Sequence, residues 1–493
     1  MPSPPINARH IITPAVLSPN PLLSRSLSQF LFSLSTSIGL GMRISMSSQI
    51  FALLHASFFS IFAHHVSTFG WSSASPAHLP TNESPPCVDL TTPHSTSIAL
   101  LSANQQWPRQ HGPPKLPIIG NLHQLGHLPH RSLSKLSNIY GPVKLLHLGR
   151  VPLLVVSTAD TAREILKTQD LYFCTRPSLL TLKRLSYNFL DVALAPYNEY
   201  WREMRRIFVQ ELLSTKRVHS FGAVRAEEVA NTVNSISKSC SSMRPVDLTE
   251  EIFSLINRVI CRIAFGSFSA SDLFPSLSIV GVVDVINGLR RRLQRCFREL
   301  DKFYQEIIDE HLERAEQDED IIDVLVGIMR DESSAIHITL NHIKAILMDI
   351  FFGGLESSSL TTVRAMTELA RKPELMKKAQ EEIRTSVGKK GMVEEGDLEQ
   401  LHYLKIVVKE TLRLHTTAPL LIPRECMNHW RRICPAMTMG ILHVELALAN
   451  LLYCFDWKLP SGMQIEDIDM EEETGISLHK KSPLLLVPSK YNW

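Results

Sequence analysis

Cys434 sits in the run Trp430-Arg431-Arg432-Ile433-Cys434-Pro435-Ala436-Met437-Thr438-Met439-Gly440, between basic residues and a proline. The residues that follow, Ile441 to Tyr453, are apolar on nearly all sides, which predicts a buried helix. A thiol at a helix N-terminus feels the positive end of the helix dipole, which favours thiolate. A thiolate in apolar surroundings, with an arginine near for an anionic group, is what a haem iron with a cysteine ligand requires. The competing reading is an inert packing cysteine.

Three other groups could do chemistry. Trp201 and Arg205 are four apart and share a helix face, so an indole and a guanidinium could meet one anionic group, or simply pack on each other. Gly353-Gly354-Leu355-Glu356-Ser357-Ser358 interrupts a strongly amphipathic helix that starts near Thr339. Two mid-helix glycines cost roughly 1 kcal/mol each relative to alanine and so need a reason. Close approach of a flat ligand to the backbone would supply one, and Glu356 and Ser357 could then accept, donate and relay protons. The alternative is a kinked core helix with serine bonded back to the preceding turn. Glu410 and Arg413 are three apart on a helix from Leu401 to His415. They form either a surface ion pair or a buried pair that locks the helix to a loop.

The elements that must position these residues are mostly helical. The chain has 493 residues, 44% hydrophobic and 20% charged, enough for a large core. Its net charge of +2 makes no case for nucleic acid. The arginines among Leu289 to Ile307 are placed on the solvated side of an amphipathic helix. Eight dispersed cysteines without a CxxC pair indicate neither a disulfide framework nor a zinc site. Strands are expected at Val143 to Leu148 and Leu153 to Ser157, with helices dominating after Thr158. No Asp or Glu precedes Glu83, and residues 1–106 carry two apolar runs, Phe30 to Gly41 and Ile50 to Ala63. Neither run reaches the ~18–20 apolar residues of a membrane span. This extension is expected to be a degenerate anchor, a transit-like segment or disordered. A globular domain is placed at 107–493, opening with the proline-rich His111–Pro117.

Taken together and in order, these pieces resemble the cytochrome P-450 family of haem-thiolate monooxygenases, most closely its plant microsomal members. The markers are His111–Pro117, Ala195-Pro196-Tyr197 ahead of Trp201 and Arg205, the Gly353–Ser358 run, Glu410-Thr411-Leu412-Arg413, Pro423-Arg424-Glu425 and Arg431–Pro435. The resemblance implies a mainly α haem domain with a small β lobe. It implies haem b, with Cys434 as axial thiolate and Trp201, Arg205 and Arg432 as propionate contacts. Glu356 and Ser357 become the acid and hydroxyl that pass protons to iron-bound dioxygen. The family usually has threonine at Ser357, so looser proton delivery and more released peroxide are expected. Glu410 and Arg413 become a structural pair. Electrons come from NADPH through a flavoprotein reductase, and the substrate is a small lipophilic metabolite. The setting is the cytosolic face of the endoplasmic reticulum membrane, with the plastid as the alternative.

Departures from the pattern are concentrated before the cysteine. Only Cys426 to Ile433 separate Glu425 from Cys434, where the family has several dozen residues. A segment is therefore expected to be missing between about 425 and 430, leaving the domain incomplete. The loop's usual phenylalanine falls on Met427 and its usual glycine on Trp430, where a tight turn is needed. Ala436 replaces another glycine. The second expectation is thus a catalytically inactive, truncated family member that does not hold haem properly.

Overall fold

The computed structural model describes residues 11–14, 112–241, 243–266, 288–313, 320–332, 336–425, 432–473 and 477–493. Of the N-terminal extension only Ile11–Pro14 falls within this set, and it forms a strand, β1. The apolar runs at 30–41 and 50–63 lie outside the described residues, as do Met427 and Trp430.

The strands expected in the sequence are present as β2 (Val143–Leu148) and β3 (Val151–Val156), an antiparallel hairpin. β1 lies parallel to β3, with Ile11 opposite Leu153 and Pro14 opposite Val156. Its other edge pairs antiparallel with β5 (Arg424–Glu425) through Ile12 and Arg424. The four-stranded order is β2-β3-β1-β5. A second, three-stranded sheet joins β4 (Val246–Asp247), β7 (Leu485–Lys490) and β6 (Phe455–Lys458). Both sheets are small beside the helices, as expected for a helical domain with a β lobe.

Ten long helices carry the rest among the described residues. They are α1 (Pro129–Tyr140), α2 (Glu199–Ile207), α3 (Gly222–Cys240), α4 (Leu248–Phe265) and α5 (Gly288–Glu313). Then come α6 (Ile321–Arg330), α7 (Leu340–Arg371), α8 (Pro373–Val387), α9 (His402–Leu414) and α10 (Met437–Cys454). Thr339 caps α7 in a capping box with His342, where the sequence placed its start. Pro373 opens α8 at its first turn, where its missing N–H costs nothing.

α7 is the axis of the fold. It is buried along most of its 32 residues, packed chiefly against α4 and then α10. α10 is also buried; its apolar length would suit a membrane span, but its sides are covered by α7, α8 and α3. The two glycines of α7 have different surroundings. A Cβ on Gly354 would meet Ile260 Cδ1 of α4 at 2.8 Å, so this glycine is required by helix-to-helix contact. Around Gly353 the space is open. The expectation that a flat ligand explains both glycines is corrected for Gly354: its close neighbour is a core side chain.

Gly354→Ala should therefore destabilise the fold despite alanine's better helix propensity. The gain is about 1 kcal/mol, and the overpacking costs about 1–3 kcal/mol. Ile260→Val removes the obstructing Cδ1, and in that background Gly354→Ala should stabilise. Chemical denaturation of the four variants measures this, and independent, additive effects would contradict it.

Candidate functional site

The site is built on the loop Asp191 to Ala195, which precedes α2. Its backbone N–H groups point one way: Val192 and Ala193 donate to Asp349 Oδ2 of α7, at 2.8 and 3.0 Å. Leu194 N–H donates to Asp191 Oδ2 at 2.9 Å. Its carbonyls point the other way. Trp201 Nε1 donates to Val192 O at 2.8 Å, and Arg176 Nε donates to Ala193 O at 3.0 Å. Arg432 donates to Val192 O, Ala193 O and Ala195 O. Asn198 caps α2 by accepting from Trp201 N–H at 2.7 Å, which sets the first turn and hence the indole.

Trp201 is buried, and two guanidinium groups lie over its ring. Arg432 lies 4.4 Å and Arg205 5.5 Å from its ring. Arg205 Nη2 donates to Ile433 O at 2.6 Å, tying α2 to the residue beside Cys434. The three residues expected to meet an anionic group, Trp201, Arg205 and Arg432, are thus brought together next to Cys434. The indole N–H is already used by Val192 O.

Two more arginines join them, which the sequence reading had not singled out. Arg424 Nη2 donates to Arg432 O and its Nη1 to Phe173 O, both at 3.3 Å. Arg176 Nη1 donates to Ile422 O and Pro423 O at 2.8 and 3.0 Å. Arg176, Arg424 and Arg432 are all largely buried, and burial lowers the pKa of each. Arg432 falls to about 10, with Arg424 and Arg205 among the charges that lower it. Arg424 Nε and Arg432 Nε are buried without a partner. Packed cations with spare donors call for an anion. The available signal was Pro423-Arg424, noted only as a motif; Arg176 carried none.

Cys434 Sγ presents open surface, yet the surrounding protein displaces enough water to push its pKa up. The Ala436 N–H and Arg205 pull the other way and do not prevail. The expected net drop toward thiolate is thus reversed in the protein alone: desolvation outweighs the helix end.

Glu356 and Ser357 are adjacent but face different sides of α7. Glu356 is 2% exposed, whereas Ser357 is exposed and donates to Gly353 O at 2.7 Å. Gly353 and Ser357 share the open face of an otherwise buried helix. Glu410 and Arg413 form a close pair, 2.6 Å from Oε1 to Nη2, with side chains 51% and 66% exposed. This is the surface form of the two arrangements left open by the sequence. The side chains of Ile406 and Leu414 on the same helix are exposed too.

The chain belongs to the cytochrome P450 family, whose description matches residues 110–273 and 269–430. By family it is a haem-thiolate monooxygenase with the family's mainly α fold; its cofactor is haem iron, and NADPH supplies electrons indirectly through a reductase. It is 43% identical to cytochrome P450 71B35 of Arabidopsis thaliana over 462 residues, covering 76% of this chain and 92% of that protein. It is 41% identical to cytochrome P450 71A1 of Persea americana, covering 76% and 91%. The first alignment is longer than 76% of a 493-residue chain, so the relative has residues without a counterpart here. A zebra fish cytochrome P450 structure with progesterone is similar in fold, with TM-score 0.61 and 23% identity, covering 73% of this chain and 99% of that one.

The residues present fit a haem. An open thiol lies beside an arginine cluster whose unpartnered nitrogens suit carboxylates of a flat, largely apolar group.

The Asp349 carboxyl gives a pH test of the loop's anchoring. Burial pushes it up to about 6, against the N–H groups of Val192 and Ala193, and Asp191 beside it is raised as well. A carboxyl with a raised folded pKa binds its proton more tightly in the native state. Its stabilising contribution is complete below about pH 4 and is lost as pH rises through about 6. Asp349→Asn keeps an acceptor for the N–H groups and removes that loss. Thermal unfolding from pH 4 to 7 should fall less steeply in the variant, and an unchanged slope would contradict the assignment.

Proposed function

We propose that this chain inserts one oxygen atom of dioxygen into a small lipophilic substrate, with Cys434 and the arginine cluster as the residues that would hold haem b. The balance is RH + O2 + 2 e− + 2 H+ → ROH + H2O. The observation that carries it is the convergence of Arg176, Arg205, Arg424, Arg432 and Trp201 beside Cys434, with two buried guanidinium nitrogens left over.

Each residue has a task. Cys434 would hold the iron as thiolate; Arg205 favours that charge, and the bond to the metal would offset the desolvation that raises the free thiol. Arg176, Arg424 and Arg432 take the haem carboxylates by charge-assisted hydrogen bonds. Trp201 holds Arg205 and Arg432 by cation–π contact rather than bonding the carboxylates itself. Haem iron, when bound, supplies the dioxygen chemistry, with electrons from an NADPH-dependent flavoprotein reductase. Ser357 holds a proton on the open face of α7, and Glu356 behind it is the acid that restores it. The domain runs from 107 to 493, and the membrane at the cytosolic face of the endoplasmic reticulum is its surface.

A second reading, an inactive family member that does not hold haem, is favoured by one feature. Glu410 and Arg413 stand in solvent with apolar Ile406 and Leu414 beside them, as they would if a covering segment were absent. The residues that the relative has without a counterpart here support the same loss.

Reduction under carbon monoxide separates the two. Intact thiolate ligation gives a strongly red-shifted Soret band, and Cys434→Ser abolishes that shift. An unshifted or absent band in the unmodified chain would establish the inactive reading. A normal shift in the Cys434→Ser variant would remove Cys434 as ligand.

A further inference from the structure

We propose that His479 is the residue that reloads Glu356 with protons; the inference rests on the acid role given to Glu356 above. Glu356 lies on the covered side of α7, 2% exposed, and neither carboxylate oxygen makes an aligned hydrogen bond. A carboxylate so placed needs a counter-charge or a proton. His479 supplies the contact. Its Nε2 is 2.6 Å from Glu356 Oε2, off the hydrogen-bonding axis, with side chains 19% and 2% exposed.

The imidazole is held firmly. Its ring stacks on Phe253 of α4, with centroids 5.8 Å apart and planes 23° from parallel. Its backbone carbonyl accepts from Arg364 Nη2 at 3.3 Å and from Glu473 N–H at 3.0 Å. Neighbouring charges are engaged elsewhere. Glu472 pairs with His130 and Arg131, and Lys480 Nζ donates to Ser482 O. Among the described residues no other cation is paired with Glu356.

The step is a proton transfer without redox change. The Nε2–H bond of the imidazolium breaks, an O–H bond forms at Glu356 Oε2, and a hydronium ion or buffer acid from solvent returns a proton to the partly exposed imidazole. Histidine suits this because its two ring nitrogens can exchange protons near neutral pH. His479 keeps a small exposed fraction, and Glu356, on the covered side of α7, is the inner end. His479 is thus a positioning and proton-supplying residue that acts through Glu356. Its chain segment, between Ser477 and β7, is remote in sequence from α7.

Two measurements test this. The first needs no haem: 15N NMR of the histidine rings in the full chain, with the His479 signal identified by its absence in His479→Gln. Glu356→Gln should move the His479 Nε2 signal and leave the His311 and His415 rings, which pair with Asp320 and Glu368, in place. No movement would overturn the contact and the proposal.

The second reads peroxide released per NADPH consumed by the haem-loaded protein. His479→Gln keeps a polar ring-sized partner but cannot carry a proton; it should raise peroxide release roughly tenfold with the absorption spectrum unchanged. Glu356→Gln should do the same, and the double variant should be no worse than either. If Glu356→Gln uncouples and His479→Gln does not, the proposal fails while the acid role of Glu356 stands. If Glu356→Gln leaves peroxide release unchanged, that acid role fails and the proposal with it.

Discussion

The loop from Asp191 to Ala195 is held on both sides by its own backbone, and the rest of the site depends on that. Asp349 of the central helix takes its N–H groups, and Arg176, Arg432 and Trp201 take its carbonyls. One short stretch thereby relates the buried axis of the fold to the cationic wall beside Cys434. Each charge-assisted bond of this kind contributes about 1.5–3 kcal/mol. The arrangement also carries a cost: two carboxyls, Asp191 and Asp349, share little space and are pushed toward their neutral forms. Arg432 works against that push, since its charge favours the ionised form of both carboxyls.

Much of the helical frame was legible in the sequence because its signals are local. Thr339 and Pro373 mark helix starts through caps and missing donors, and both helices begin there. The apolar run after Cys434 predicted a buried helix and α10 is one. The site was legible in part. Spacing put Trp201 and Arg205 on one helix face, the family resemblance added Arg432, and the three do cluster. Arg176 was missed because its partners, Ala193, Ile422 and Pro423, are backbone groups far away in sequence. Backbone acceptors leave no residue-type signature. Gly354 was misjudged for the same reason: a missing Cβ says that something is close, not whether it is a ligand or Ile260.

The short distance between Glu425 and Cys434 has a physical counterpart on the surface. Glu410 and Arg413 satisfy each other in solvent, where such a pair contributes little. Exposed Ile406, Leu412 and Leu414 on α9 and Ile433, Met437 and Ile441 around the cysteine leave apolar area uncovered. The anchors of the arginine cluster lie in the 191–195 loop, α2 and β5, none of them on α9. Haem capture and the stability of the α9 face are therefore separable properties of this chain.

The central claim is that buried arginines bonded to the 191–195 loop, Arg176 and Arg432, hold the cofactor. Haem transfer to excess apomyoglobin tests it most directly. The unmodified chain should retain haem, and Arg432→Leu, which keeps the bulk over Trp201 but removes the charge, should lose it far faster. Equal transfer rates for the two proteins would contradict the account.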